Sequence, residues 1–213
     1  MIRRADGFTL IEVLVATVLL AAGLALALTT LRAATSTVER GEALAQRSER
    51  MRAVEGVLRR RIASAQQIAF DTDVSTGDTQ WFVGEPERLR FVADLPNYLG
   101  QGGPHLHDIA VAEEGGTRRL TIAFGMVMTG RTIAASEPRP PELLVDGLDA
   151  LRFRYRGIDD IGAIGDWQDH WGATSLPLQV EITLATERDG VWPRMLVTLP
   201  QGTGQAPMRA ALP

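Results

Sequence analysis

Gly7-Phe8-Thr9-Leu10-Ile11-Glu12-Val13 is the stretch whose reading decides the fold. A short leader carrying Arg3 and Arg4 ends at the glycine, and an apolar run continues from Phe8 to Leu31. Glu12 is the only ionisable side chain within that run. A carboxylate at the centre of an apolar membrane helix costs about 2.5–3.5 kcal/mol on insertion scales. Such a group normally has a partner and a task, so the segment is more than an anchor.

Residues 8–31 are long enough to span a bilayer. At about 1.5 Å rise per residue they cover roughly 36 Å, against a hydrocarbon core of about 30 Å. Arg3 and Arg4 precede the span, so the positive-inside tendency keeps the N-terminus cytoplasmic and everything beyond Leu31 outside. Three plainer readings compete. One is an ordinary signal peptide cut after Ala27 or Ala34. Another is an uncleaved anchor. The third, a buried soluble helix, conflicts with the length and uniform apolarity of the run. The first two leave Gly7, Phe8 and Glu12 unexplained.

Gly7-Phe8-Thr9-Leu10-Ile11-Glu12-Val13-Leu14 closely resembles the class III signal of type IV pilins and type II secretion pseudopilins. The resemblance implies that a prepilin peptidase cuts between Gly7 and Phe8 and methylates the new amine of Phe8. Glu12 then matches the fifth mature residue of that family. In a filament, the Phe8 amine of one subunit can meet Glu12 of a neighbour. Removing one partner of such a desolvated pair costs about 3–5 kcal/mol. Glu12 is therefore expected to set register during subunit assembly.

The 213 residues allow one anchor helix and one globular head of ordinary size. The net charge of −4 gives no basic footprint for nucleic acid. Every Lys-or-Arg position is arginine, and cysteine is absent, so the head folds without a disulfide. Beyond Leu31, the residues Leu44, Met51, Val54, Leu58, Ile62, Ala65 and Ala69 fall at spacings of three, four and seven. That is one apolar stripe on a helix, with arginines and glutamates on the other faces. Proline is absent from residues 8–70, so one long helix is expected across them. The run Arg59-Arg60-Arg61 reads as its solvated side.

From Asp71 the texture changes. Turn clusters alternate with short β-like runs at residues 80–83, 88–93, 108–113, 118–124, 143–145, 150–156, 178–185 and 191–199. Leu151-Arg152-Phe153-Arg154-Tyr155 and Val180-Glu181-Ile182-Thr183-Leu184 alternate with period two. The fold class is α+β: a long N-terminal helix packed on an antiparallel sheet, which is the pilin-like layout. The second half resembles the J class of minor type II secretion pseudopilins. Leu143-Leu144-Val145-Asp146-Gly147-Leu148, the alternating run at 151–155, Trp167, Trp171, Leu176-Pro177 and the closing strands carry that resemblance. The expected organisation is a leader at 1–7, a transmembrane helix half at 8–31 and a periplasmic amphipathic helix half at 32–70. A β-rich head at 71–200 and a flexible tail at 201–213 follow.

No constellation announces catalysis. There is no cysteine nucleophile, no Gly-x-Ser-x-Gly elbow and no phosphate-binding glycine loop. Asp71, Asp73, Ser75 and Gly77 imitate the start of a calcium loop, but Phe82 stands where a bidentate glutamate is needed. A turn is the expected role. His105 and His107 lie on one side of a strand-like run and His170 lies far off, so all three read as loop or surface histidines without a metal. Asp159, Asp160, Asp166 and Asp169 surround a glycine-rich loop. Trp167 and Trp171 are expected to be partly buried against the sheet.

The sequence is thus read as a structural assembly subunit without cofactor: a minor pseudopilin at the tip of the secretion pseudopilus. The resemblance implies partners among the I and K classes, with the H class as a further one, besides the prepilin peptidase and the inner-membrane secretion platform. Helices lie nearest one another in a bundle of parallel subunits, so partner contacts are expected at Arg47, Met51, Val54 and Leu58. The expected location is the bacterial inner membrane, single-pass, with a periplasmic head. A minor pilin of type IV pili and an anchored periplasmic enzyme remain as alternatives.

Overall fold

The computed structural model describes residues 9–72, 77–95, 103–133, 139–159, 161–172 and 175–200, apart from the side chains of residues 36 and 37. Gly7 and Phe8 lie outside the described residues, as do Asp73, Ser75, Asp160 and the tail from residue 201. The chain divides into two compact units, Met1–Arg50 and Met51–Pro213.

One helix, α1, runs over Leu10–Ala63. Leucine and alanine dominate its first half, and no proline breaks its hydrogen-bond ladder. In the first unit its apolar side chains face outward throughout. The hydroxyls of Thr17, Thr29, Thr30 and Thr35 donate to carbonyls three or four residues back. Their polarity is therefore satisfied inside the helix, as a hydrocarbon environment requires. In the second unit the apolar stripe turns inward. Leu58 and Ile62 are fully buried, and Met51 and Val54 pack half-buried against the same core.

The helix stops at Ala63 rather than continuing to Phe70. The Ser64 amide donates to the carbonyls of Arg60 and Arg61, and the Gln66 amide donates to Val92 O at 2.8 Å. Phe70 is then buried with Val92 and Val127 in a small second cluster. A further helical turn would forfeit that pairing and that burial, so tertiary contacts override local helix propensity here.

The head is built from strands. β1 (Asp71–Thr72) and β2 (Thr79–Gln80) form a two-stranded ribbon. β3 (Phe82–Gly84), β4 (Arg88–Asp94), β5 (Pro104–Glu114), β6 (Thr117–Met128) and β7 (Arg131–Ile133) form an antiparallel sheet in that order. β8 (Glu142–Val145) also pairs with β6. A second antiparallel sheet has β10 (Gln179–Thr186) paired with β9 (Leu148–Arg156) and with β11 (Gly190–Val191) and β12 (Met195–Thr198). The expected closing strand at 191–199 is split. Pro193 cannot donate to a ladder, and Trp192 and Arg194 flank it outside both strands.

The main core lies between α1 and the inner faces of both sheets. Leu58 and Ile62 share one cluster with Phe82, Phe91, Ile109, Phe153, Tyr155 and Ile182. Gly84 at the end of β3 exchanges backbone hydrogen bonds with Trp171, in the connection between β9 and β10, at 3.3 and 2.9 Å. The Tyr155 ring lies over Gly84, and its hydroxyl donates to Glu85 O at 2.8 Å.

Candidate functional site

Glu12 sits in the first turn of α1. Thr9 precedes the helix, and the Glu12 amide reaches Thr9 O at 3.1 Å and Thr9 Oγ1 at 3.4 Å. Thr9-Leu10-Ile11-Glu12 is thus a capping-box pattern, with the threonine at the cap and the glutamate three places on. A carboxylate there also meets the positive end of the helix dipole. This signal stands in the sequence, and reading Glu12 only as a membrane-embedded charge misses it. Beyond Glu12 the helix presents apolar side chains to every side as far as Leu31. It is long and apolar enough to cross a membrane, and it bears an N-terminal methylation motif, so it acts as a membrane anchor.

Arg47, Met51, Val54 and Leu58 lie along one stripe of α1. Leu58 is wholly taken up by the core, while Arg47, Met51 and Val54 remain half-exposed.

The alternating run of β9 splits by face. Leu151, Phe153 and Tyr155 enter the core, and Arg152, Arg154 and Arg156 face out. Trp171 is buried and donates Nε1–H to Ser175 O at 2.8 Å. Trp167 is half-buried beneath the Arg156 guanidinium, 4.5 Å from its ring centroid. The pieces that carry the resemblance of the second half are thus mostly core and sheet-joining residues.

The histidines differ from expectation. β5 begins at Pro104, so His105 and His107 lie within a strand rather than a loop. His107 is fully buried, and it stacks on Phe91 with centroids 5.3 Å apart and meets Phe124 edge-on at 4.9 Å. Its Nδ1 lies 3.0 Å from His105 O, while Nε2 finds no hydrogen-bond partner among the described residues. Burial pushes its pKa down from 6.5 to about 4, against a smaller opposing effect of the His105 carbonyl, and the Arg61 charge lowers it further. Sequence reading misplaced it because histidine scores as polar, whereas here its ring substitutes for an aromatic in the row Phe82, Phe91, His107, Phe124. Among the described residues, no group of three or more His, Cys, Asp or Glu side chains is placed to hold a metal ion.

Comparison with known proteins agrees with this architecture. The profile of the family described as "Type II secretion system (T2SS), protein J" matches residues 29–198. The "Prokaryotic N-terminal methylation motif" matches residues 2–28. The chain is 50% identical over 203 residues to the type II secretion system protein J of Xanthomonas campestris pv. campestris, covering 94% of this chain and 96% of that relative. The chain belongs to the protein J family of the type II secretion system, whose members are minor pseudopilins, structural subunits and not enzymes.

Proposed function

We propose that this subunit works in the tip complex of the pseudopilus, where it helps start assembly and so supports export of folded proteins across the outer membrane. Prepilin peptidase cuts between Gly7 and Phe8 and methylates Phe8. The mature helix stands in the inner membrane with its N-terminus cytoplasmic and the head periplasmic. Glu12 receives the amine of a neighbouring subunit. Minor pseudopilins of the I and K classes, with the H class, pack beside it through the helix stripe of Arg47, Met51 and Val54, while Leu58, expected to share that contact, is closed off by the core. The secretion platform of the inner membrane supplies the setting for that assembly.

One observation carries this reading. In a member of the protein J family, an outward-facing apolar helix begins within the N-terminal methylation motif and bears Glu12 in its first turn. Mass spectrometry of the protein purified from membranes tests it. A mature chain beginning with N-methylated Phe8 is expected, and Gly7→Val should leave full-length precursor. Equal processing of mutant and wild type, or a chain starting near Leu28 or Thr35, would overturn it.

A further inference from the structure

The outer face of the second sheet carries a row of arginines. Arg152, Arg154 and Arg156 alternate along β9 with residues that fill the core. Alternate residues of a strand project to opposite faces, so the three guanidiniums share the outer side, with Cα atoms about 6.8 Å apart. Arg194, just before β12, reaches the same face through Glu181 Oε2 at 3.1 Å. Three of these four arginines meet two carboxylates among the described residues, Asp169 and Glu181, while Arg156 donates Nε–H to Gln179 Oε1 at 2.6 Å above the Trp167 ring, in a chain whose net charge is −4.

The chain displays on itself how the row holds an acid. Arg152 grips Asp169 with two hydrogen bonds, Nε to Oδ1 at 3.1 Å and Nη2 to Oδ2 at 2.6 Å. Arg154 Nη2 donates to Trp167 O at 3.3 Å, and its Nε lies 3.6 Å from Asp169 Oδ1. Gln168 exchanges backbone hydrogen bonds with Tyr155 at 2.7 and 2.8 Å. An acidic, aromatic segment thus runs beside β9 with one carboxylate on the row. Glu181, nearly buried, steadies Arg154 and Arg194 from below. Arg152 and Arg194 keep 56% and 72% of their side-chain surface open to solvent.

We propose that this row is a docking surface for an extended acidic polypeptide segment. Guanidiniums two residues apart on a strand match carboxylates two residues apart on another extended chain. A lone phosphate meets two neighbouring guanidiniums at most, as Asp169 meets Arg152 and Arg154, and leaves the rest of the row unmatched. The opposite face of this sheet packs on Leu58 and Ile62, so the occupant differs from any partner that lies along the helix.

Fluorescence anisotropy of the full-length protein in non-ionic detergent micelles tests the proposal. The probe is a labelled peptide alternating glutamate and threonine, with a glutamine-for-glutamate peptide as control. The acidic peptide should bind and the control should not. Raising NaCl from about 0.05 to about 0.3 M should weaken binding, because screening acts strongly on exposed pairs. Arg152→Gln with Arg194→Gln should weaken it about tenfold, whereas Arg118→Gln on β6 should leave it unchanged. Thr183→Glu, which places a carboxylate opposite Arg152 in the register, should weaken it without removing any arginine. Equal binding of the control peptide, indifference to both the double variant and Thr183→Glu, or capture of phosphate-bearing anionic vesicles without capture of the peptide would overturn the proposal.

Discussion

His107 spends its polarity poorly in the folded head. Its ring lies among aromatics, and Nε2 has no described partner. Its folded pKa of about 4 is below the 6.5 of an exposed imidazole, so the unfolded chain binds the proton more readily. The sign follows. Stability from this residue is complete above the unfolded value and falls as pH drops from about 6.5 toward about 4, by roughly 3 kcal/mol in all. Denaturant midpoints of the wild type at pH 7 and pH 4.5 should therefore differ more than those of His107→Phe. Identical pH responses of the two proteins would refute the assignment. Glu12 poses a different question, because two roles fit it. A capping box accepts glutamine as well as glutamate, whereas a salt bridge to a neighbour's amine does not. Glu12→Gln is expected to match Glu12→Leu, with normal cleavage and insertion but a partial loss of secretion at native expression. Full secretion by the glutamine variant would leave capping as the sole role.

Between elements, the joint of the two sheets depends on one missing side chain. A Cβ built on Gly84 would lie 2.5 Å from Tyr155 Cζ. Tyr155 is fully buried, with its hydroxyl held by Glu85 O, so the ring cannot swing aside. Gly84→Ala should destabilise the head by about 1–3 kcal/mol, the usual range for overpacking a closed site. A shift in the unfolding midpoint equivalent to less than about 0.5 kcal/mol would show that the ring yields after all. This contact is invisible in the sequence, because it joins residues some seventy places apart in two different sheets. What the pattern does reveal is one-dimensional. The stripe through Met51, Val54, Leu58 and Ile62 and the alternation of β9 both put the right residues inward. The helix end did not declare itself, because residues 64–70 lack proline and the reason they leave the helix is Val92, a strand away. Nor did the division into two sheets, since period two names a strand's faces but not its neighbours.

At the scale of the molecule, the long helix has two kinds of environment. From Met51 onward its stripe belongs to the head, and Leu58 is closed off by that core. A neighbour packing along this stripe would therefore meet Arg47, Met51 and Val54 first. Met51→Glu with Val54→Glu should lower association with an I-class subunit about tenfold or more while Arg118→Gln does not, as co-purification from membranes would report. Equal recovery of the partner with both variants would move the contact elsewhere. The residues between Leu31 and Met51 have another consequence. Among those described, every side chain except Arg47 is exposed, so no core of the subunit steadies that stretch of helix. Helices in proteins owe most of their stability to tertiary packing of one face, which this stretch lacks within the subunit. Their amide protons should therefore trade with deuterium quickly in the isolated subunit and slowly once neighbours close around them. Isotope uptake over these peptides becomes a clock for assembly, one that needs no label, no variant and no knowledge of which partner arrived.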